Sequence, residues 1–359
     1  MSADLFAPMT FARGEAMPNR FMLAPLTNQQ SPSGLLSDEE RNWLLMRGRG
    51  GFGLVMTAAA YVQPNGKGFP GQIGIDHDGC VPALASLAAE LRAQGCRSSL
   101  QLYHAGIRAC QPEIEGPPVG PSEDAASGAR AMTTGEVEAM IEAFIAAALR
   151  AQEAGFDGVE IHGAHGYLLC AFLSPEHNHR TDRFGGSLAN RASPLREVIA
   201  GIRARCRPDF TLGVRLTVER MGIVLAESRQ LVGELMAEGQ LDYIDLSLWD
   251  VFMTPVDPDF AERPLIGWFT DLPRGGTRLG VAGKIRSGAE ARQCLEAGAD
   301  FVLIGRAAIA NHDFPRRIAD NPDFEMPALP LPRAHVAEEG ATAPFLAYLG
   351  GMPGLLEPA

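Results

Sequence analysis

Residues 151–163, AQEAGFDGVEIHG, run from a helix end through a glycine into a short apolar strand. Gly155 stands where a helix is followed by a residue in the left-handed region. Gly158-Val159-Glu160-Ile161 has the aliphatic character of a strand covered on both faces. The same phrase recurs as RGRGGFGLVMTA (47–58), LRAQGCRSSLQL (91–102), LMAEGQLDYIDLS (235–247) and CLEAGADFVLIGR (294–306). Helix and strand alternating in this way make parallel βαβ units. The less marked strands Phe21–Leu26, Leu212–Leu216 and Leu279–Ala282 bring the count to eight, so the expected fold is α/β, a single (β/α)₈ TIM barrel. An open doubly wound sheet would carry a G-x-G-x-x-G turn after its first strand. Here Leu26 is followed by Thr-Asn-Gln-Gln.

Helix starts support this segmentation. Ser37–Glu40, Thr133–Glu136 and Ser287–Glu290 each match the S/T-x-x-E capping box. Helices are expected near 38–48, 79–95, 134–154, 189–206, 227–239, 288–297 and 313–320. Long connections follow strands three (103–132) and six (247–278), and long ordered loops in a compact domain tend to be functional lids. Residues 1–326 form the barrel with an N-terminal extension. The Pro- and Gly-rich tail 327–359 is expected on the surface or packed on a neighbouring subunit of a dimer or tetramer.

The 359 residues carry a formal charge of -12, with 31 basic against 43 acidic side chains. That balance argues against nucleic acid or an anionic membrane as the main partner. The first twenty residues lack a basic segment followed by an apolar one, and no apolar run approaches the ~18 residues of a membrane span. A cytoplasmic protein is expected. The six cysteines form no C-x-x-C pair, so free thiols are expected and neither zinc nor iron–sulfur spacing is present.

The chemistry gathers just past the central strand. His162 and His165 follow its carboxyl end, where barrels hold ligands, and a helical turn there would put positions i and i+3 on one face with Tyr167 close by. Such a cluster can donate several hydrogen bonds to one substrate oxygen. Metal binding is the rival reading. An H-x-x-H pair lacks the i, i+4 spacing and internal glutamate of the zincins, and Glu160 is expected to alternate away from the mouth, so no metal is expected. After the last two strands, Gly283 and Gly305-Arg306 lie where barrels of this type bind phosphate, with a guanidinium available for a bidentate clamp. Thr27, Gln101 and Arg215 sit on strand ends facing the same mouth. Arg215 inside an apolar strand is costly to bury unpaired. It needs either a bound anion or a carboxylate of the barrel.

Taken together, Asn19-Arg20, Ala24-Pro25-Leu26-Thr27, Gln101-Leu-Tyr-His104-Ala-Gly106, His162-Gly-Ala-His165-Gly-Tyr167, Asn178-His-Arg-Thr-Asp182, Phe184-Gly-Gly-Ser187, Val214-Arg-Leu216 and Ile304-Gly-Arg306 resemble the old yellow enzyme family of FMN-dependent ene-reductases. The likeness runs from about Asn19 to Pro315, and the His-x-x-His pair is similar to that of the bacterial members. It implies non-covalently bound FMN across the barrel mouth, with phosphate at Gly283, Gly305 and Arg306 and the ring system against Pro25, Leu26, Thr27, Ala59, Gln101 and Arg215. It further implies NAD(P)H as reductant and a small activated alkene as substrate, in an NAD(P)H:flavin oxidoreductase or ene-reductase. His162 and His165 would hold the carbonyl or nitro oxygen while hydride adds at Cβ, and Tyr167 would protonate Cα. Many bacterial relatives have a cysteine at the Thr27 position and a tyrosine shortly after, where this chain has Asn28 and Gln29. Trp249, Phe252 and Trp268, in the connection after strand six, are candidates to roof the site. A barrel lyase or metal-dependent hydrolase, and a flavin protein without alkene turnover, are the competing readings.

Overall fold

A computed structural model describes residues 4–358. Eight parallel strands close into a barrel in sequential order: β1 (Phe21–Leu23), β2 (Leu54–Tyr61), β3 (Arg97–Tyr103), β4 (Gly158–Gly163), β5 (Thr211–Thr217), β6 (Tyr243–Ser247), β7 (Arg278–Ala282) and β8 (Phe301–Ile304). The first strand is shorter than expected. Its pairing ends at Ala24, whose N–H reaches Ile304 O at 3.1 Å, because Pro25 has no N–H to continue the ladder.

The outer layer is α1 (Asp38–Arg49), α2 (Val81–Ala93), α3 (Thr134–Glu153), α4 (Ser193–Arg205), α5 (Leu225–Glu238), α6 (Gly267–Thr270), α7 (Gly288–Glu296) and α8 (Phe314–Asp320). Of the three anticipated capping boxes only Thr133–Glu136 is reciprocal. Ser37 and Ser287 do cap Glu40 N and Glu290 N. Their glutamates bind elsewhere, Glu40 to Asn28 and Ser31 and Glu290 to Arg286 N at 2.6 Å.

The main core lies between barrel and helices, where Phe144, Phe156, Phe172, Phe210 and Leu235 are fully covered. The barrel interior is apolar on one side, where Met22, Met56, Phe301 and Leu303 cluster, and polar on the side of β3 to β6. Because strand side chains alternate, Ser99, Gln101 and Tyr103 on β3, Glu160 and His162 on β4, Arg215 and Thr217 on β5, and Asp245 and Ser247 on β6 share the inner face. Lateral register places His162 beside Arg215 and Arg215 beside Asp245. Glu160 therefore points the same way as His162, one layer deeper. The expectation that it turns away overlooked the two-residue period they share.

The tail folds back on its own barrel as α9 (Arg333–Glu338) and α10 (Ala343–Gly350). Phe345 packs edge-on against Trp43 with centroids 5.7 Å apart. Arg47, fully buried, donates to Glu339 O and Ala308 O at 2.8 and 2.9 Å. Thr342 Oγ1 donates to Gln30 Oε1 at 2.6 Å.

Candidate active site

Two joined cavities of about 320 and 670 Å³ open at the C-terminal end of the barrel. Pro25, Leu26, His165, Arg215 and Tyr348 line both. The smaller adds Thr27, Ala59, Gln101, His162 and Tyr167. The larger adds Gly283, Gly305 and Arg306. The three residues expected to act on substrate and the nine expected to contact the flavin thus all border one continuous space.

The histidine pair is built differently from expectation. β4 continues through Gly163, and the chain then turns at two left-handed residues, His165 (φ 61°) and Gly166 (φ 71°). A non-glycine residue in that region is uncommon. His165 is held there by its N–H donating to Thr217 Oγ1 at 2.8 Å, and its carbonyl accepts from Arg108. This turn, rather than a helical one, brings the two rings to 5.1 Å between centroids, with Tyr167 5.1 Å from His162. The Arg108 guanidinium lies over the Tyr167 ring at 4.8 Å, a cation–π arrangement.

Protons on the imidazoles follow from their partners. His162 Nδ1 accepts from Ala164 N at 3.2 Å, so in the neutral ring Nε2 carries the hydrogen. That hydrogen points to His165 Nδ1 at 3.3 Å, and His165 Nε2 in turn points to Ser247 Oγ at 2.8 Å. Burial first, then the neighbouring charges, lowers both: His162 well below 6.5 and His165 to about 3. Each ring is therefore neutral at physiological pH and has one N–H to give.

Beneath them lies a buried charge cluster. Arg215 Nε pairs with Asp245 Oδ2 at 3.0 Å, with both side chains buried. Of the two ways to balance Arg215, the barrel carboxylate is present. Gln101 Nε2 donates to Glu160 Oε1 at 2.7 Å. Burial pushes both carboxyls up, and Asp245 adds to the rise at Glu160 while Arg215 opposes it. Glu160 thus keeps its proton near neutrality and Asp245 is the counter-charge of Arg215.

The larger cavity is basic at its far end, where Lys284, Arg286 and Arg306 border it. Arg286 Nε is buried without a protein partner. Gly283 has φ 152°, and a Cβ there would lie 2.9 Å from Asp250 N, so only glycine fits the turn. Gly305 has no such need, since a Cβ would meet only Leu26 at 3.7 Å. A basic end with an orphaned guanidinium nitrogen, joined to an amide- and guanidinium-lined chamber, suits an anionic flavin nucleotide. Arg306 and the Gly283–Arg286 turn would hold its phosphate, and Gln101 and Arg215 its pyrimidine edge.

Several residues were missed or misplaced in the sequence reading. Asn28 does not enter the site: it is buried, its amide donating to Glu40 Oε1 at 2.9 Å and its carbonyl accepting from Gln30 N at 3.0 Å. Trp249 borders both cavities. Phe252 packs on the core instead, and Trp268 meets Phe260 edge-on with centroids 4.8 Å apart. Arg108, Ser247 and Tyr348 went unnoticed. Arg108 was findable in the run after Gly106, Ser247 by strand alternation from Asp245. Tyr348, which lines the smaller cavity together with Thr27, comes from a tail that carries no periodic signal.

Known proteins agree with this geometry. A probable NADH-dependent flavin oxidoreductase of Bacillus subtilis is 37% identical over 334 residues, 88% of each chain. An NADPH dehydrogenase of Bacillus pumilus is 33% identical across 89% of this chain and 95% of its own. The structure of morphinone reductase in complex with tetrahydroNAD superposes with a TM-score of 0.80 at 28% identity, covering 95% of this chain and 96% of that one. The model of the NADH:flavin oxidoreductase / NADH oxidase family, whose members bind FMN, matches residues 4–324. With that match over a barrel whose mouth fits the flavin, the chain belongs to the NADH:flavin oxidoreductase / NADH oxidase family and is an FMN-dependent oxidoreductase that draws on NADH or NADPH.

Proposed function

We propose that this protein reduces the carbon–carbon double bond of α,β-unsaturated carbonyl or nitro compounds. The observation that carries the reading is the His162–His165–Tyr167 cluster facing the same chamber as Gln101 and Arg215. Bound FMN supplies hydride transfer between the reduced nicotinamide and the alkene.

The chain's own groups do the rest. The His162 N–H is spent on a long 3.3 Å contact, which a substrate oxygen replaces with a shorter bond, placing the donor where negative charge develops. His165 adds a second donor once its ring releases Ser247. Neutral imidazoles suit this work because they can donate without needing a carboxylate partner. Tyr167, at the cluster's edge beside Arg108, passes its phenolic proton to Cα and recovers one from solvent. Arg215, paired with Asp245, keeps cationic charge beneath the chamber as electrons arrive.

Morphinone reductase, by its name, also acts as a reductase, and its match over nearly the whole chain supports the reading. Isotope placement tests it. With 4-deuterated nicotinamide in ordinary water, one deuterium is expected at Cβ of the saturated product and none at Cα. Deuterium at Cα, or no saturated product, contradicts the proposal.

A further inference from the structure

Outside the catalytic mouth, the turn that leads into α2 gathers three ligand-type atoms. Cys80 Sγ lies 3.5 Å from His77 Nδ1 and 4.0 Å from Asp76 Oδ1, and His77 Nδ1 lies 2.9 Å from Asp76 Oδ1. These are the three groups of the described residues whose donor atoms all fall within 4.8 Å of one another. We propose that Asp76, His77 and Cys80 form a binding site for one zinc-type divalent cation.

The shape of the cluster carries the argument. A tetrahedral ion with sulfur at about 2.3 Å and nitrogen or oxygen at about 2.0–2.1 Å separates its ligands by about 3.3–3.6 Å, as plane geometry on those bond lengths gives. The observed edges of 2.9, 3.5 and 4.0 Å bracket that face and need shifts of about half an ångström.

The direction of the contacts adds to this. In a thiol–imidazole–carboxylate relay the sulfur and the carboxylate would engage opposite ring nitrogens. Here both converge on Nδ1, which has either one hydrogen or one lone pair. A cation at the centre serves all three at once.

The surroundings are prepared for it. Cys80 and Asp76 come from the covered side, with Cys80 2% exposed, while the imidazole is 60% exposed and leaves a fourth position open to water. The next residue but one from His77 is Gly79, where a Cβ would lie 3.0 Å from His77 Cδ2 and Nε2, so glycine lets the ring fold back over the turn. Arg150, on the neighbouring α3, is paired with Asp78 Oδ1 at 2.7 Å, which offsets its opposition to a bound ion.

With Cys80 as thiolate and Asp76 ionised, a divalent ion leaves the cluster neutral. Binding forms the metal–sulfur, metal–nitrogen and metal–oxygen bonds and releases the thiol proton to solvent. Mixed sulfur, nitrogen and oxygen donors favour zinc over magnesium or calcium. The ion would clasp α2 to the end of the segment that follows β2, whose Ile75 N bonds Tyr61 O at 2.9 Å and whose Phe69 borders the smaller cavity.

The D-H-x-x-C spacing hid this site from a search for paired cysteines. None of its three residues lines either cavity, so its test separates from that of the catalytic reading. Flavin-loaded protein, stripped with a chelator and titrated with zinc and with cobalt(II), should take up one equivalent of each. The cobalt form should show a thiolate charge-transfer band. His77→Ala and Cys80→Ser should each weaken zinc binding more than about tenfold, the usual scale for disturbing a metal site, and Gly79→Ala should weaken it less. Flavin content and its reduction by NAD(P)H should not change. His77 is exposed, so its variant keeps the test open if Cys80→Ser folds poorly. No uptake by the wild type, or uptake equal in the wild type and His77→Ala, overturns the proposal.

Discussion

Gln101 spends its amide nitrogen on Glu160, at 2.7 Å inside the barrel, which leaves the amide oxygen to face the chamber that Gln101 lines. A buried carboxyl beneath the floor therefore decides which end of the amide a bound ring system meets. Glu160→Leu removes that anchor and lets the amide turn. FMN affinity should fall about tenfold, the worth of roughly one hydrogen bond of about 1 kcal/mol or slightly more, while Glu160→Gln should lose less. Fluorescence titration of the stripped protein with FMN checks both. Equal affinity in the wild type and Glu160→Leu would show that Gln101 is not set from below.

His162→Ala should separate the two half-reactions. Reduction by NAD(P)H should stay within a few-fold of wild type. Reoxidation by an enone should slow by about 10²–10³, the scale for losing one preorganised donor. Stopped-flow absorbance of each half measures this, and equal slowing of both would remove His162 from substrate binding. Ser247→Ala frees the His165 ring. It should leave flavin reduction unchanged and alter KM for the enone more than the limiting rate.

Tyr167→Phe should slow reoxidation by about 10²–10⁴, the usual reach of general acid catalysis, with the ring still packed against Tyr103 at 4.5 Å. A variant that keeps wild-type reoxidation would mean that water or another group delivers the proton to Cα.

Stability should respond to acid through His104. This ring is fully buried, its Nδ1 accepting from Gly106 N at 3.0 Å, and burial lowers it from 6.5 to about 3. Between those values the unfolded chain binds a proton that the native chain does not. The stabilisation is whole above pH 6.5 and is lost as pH falls through that window, at about 1.4 kcal/mol per pH unit for one group. His104→Asn removes this dependence. From pH 6.5 to 5 the stability gap between wild type and variant, from urea unfolding, should shift by about 2 kcal/mol against the wild type. A constant gap would mean that His104 is not neutral in the native state.

The tail should matter to the site. Tyr348 and Met352 border both cavities, and Phe345 anchors their helix on Trp43. Phe345→Ala opens a cavity in that contact, with a cost of about 3–5 kcal/mol. FMN should then dissociate at least several-fold faster while most of the circular dichroism is kept. Unchanged release would detach the tail from the flavin site.

The barrel was legible because its signal is local and repeated. Gly155 and its counterparts mark helix ends, and the aliphatic runs after them are strands whatever the distant contacts. The mouth residues were legible because barrel function gathers at strand ends. What stayed hidden depended on pairing across the interior or on distant packing. The partner of Arg215 emerges only once β5 and β6 are in register, and Glu160 was misdirected although the two-residue period already held the answer. The left-handed turn at His165 rests on Thr217, 52 residues away. Tyr348 joins Thr27 in lining the smaller cavity only after the tail folds across α1. Asn28 looked like a departure in the site because sequence neighbours were assumed to be spatial ones, whereas its side chain turns to Glu40.

The central claim is that one chamber takes electrons from a reduced nicotinamide and delivers them to an activated alkene. Anaerobic mixing tests it most directly. The FMN-loaded protein should lose its yellow absorbance with NADH or NADPH, then regain it fully on adding 2-cyclohexenone, with one saturated ketone formed per flavin reoxidised. A reduced protein that stays bleached in the presence of the enone and regains colour only in air would contradict the account.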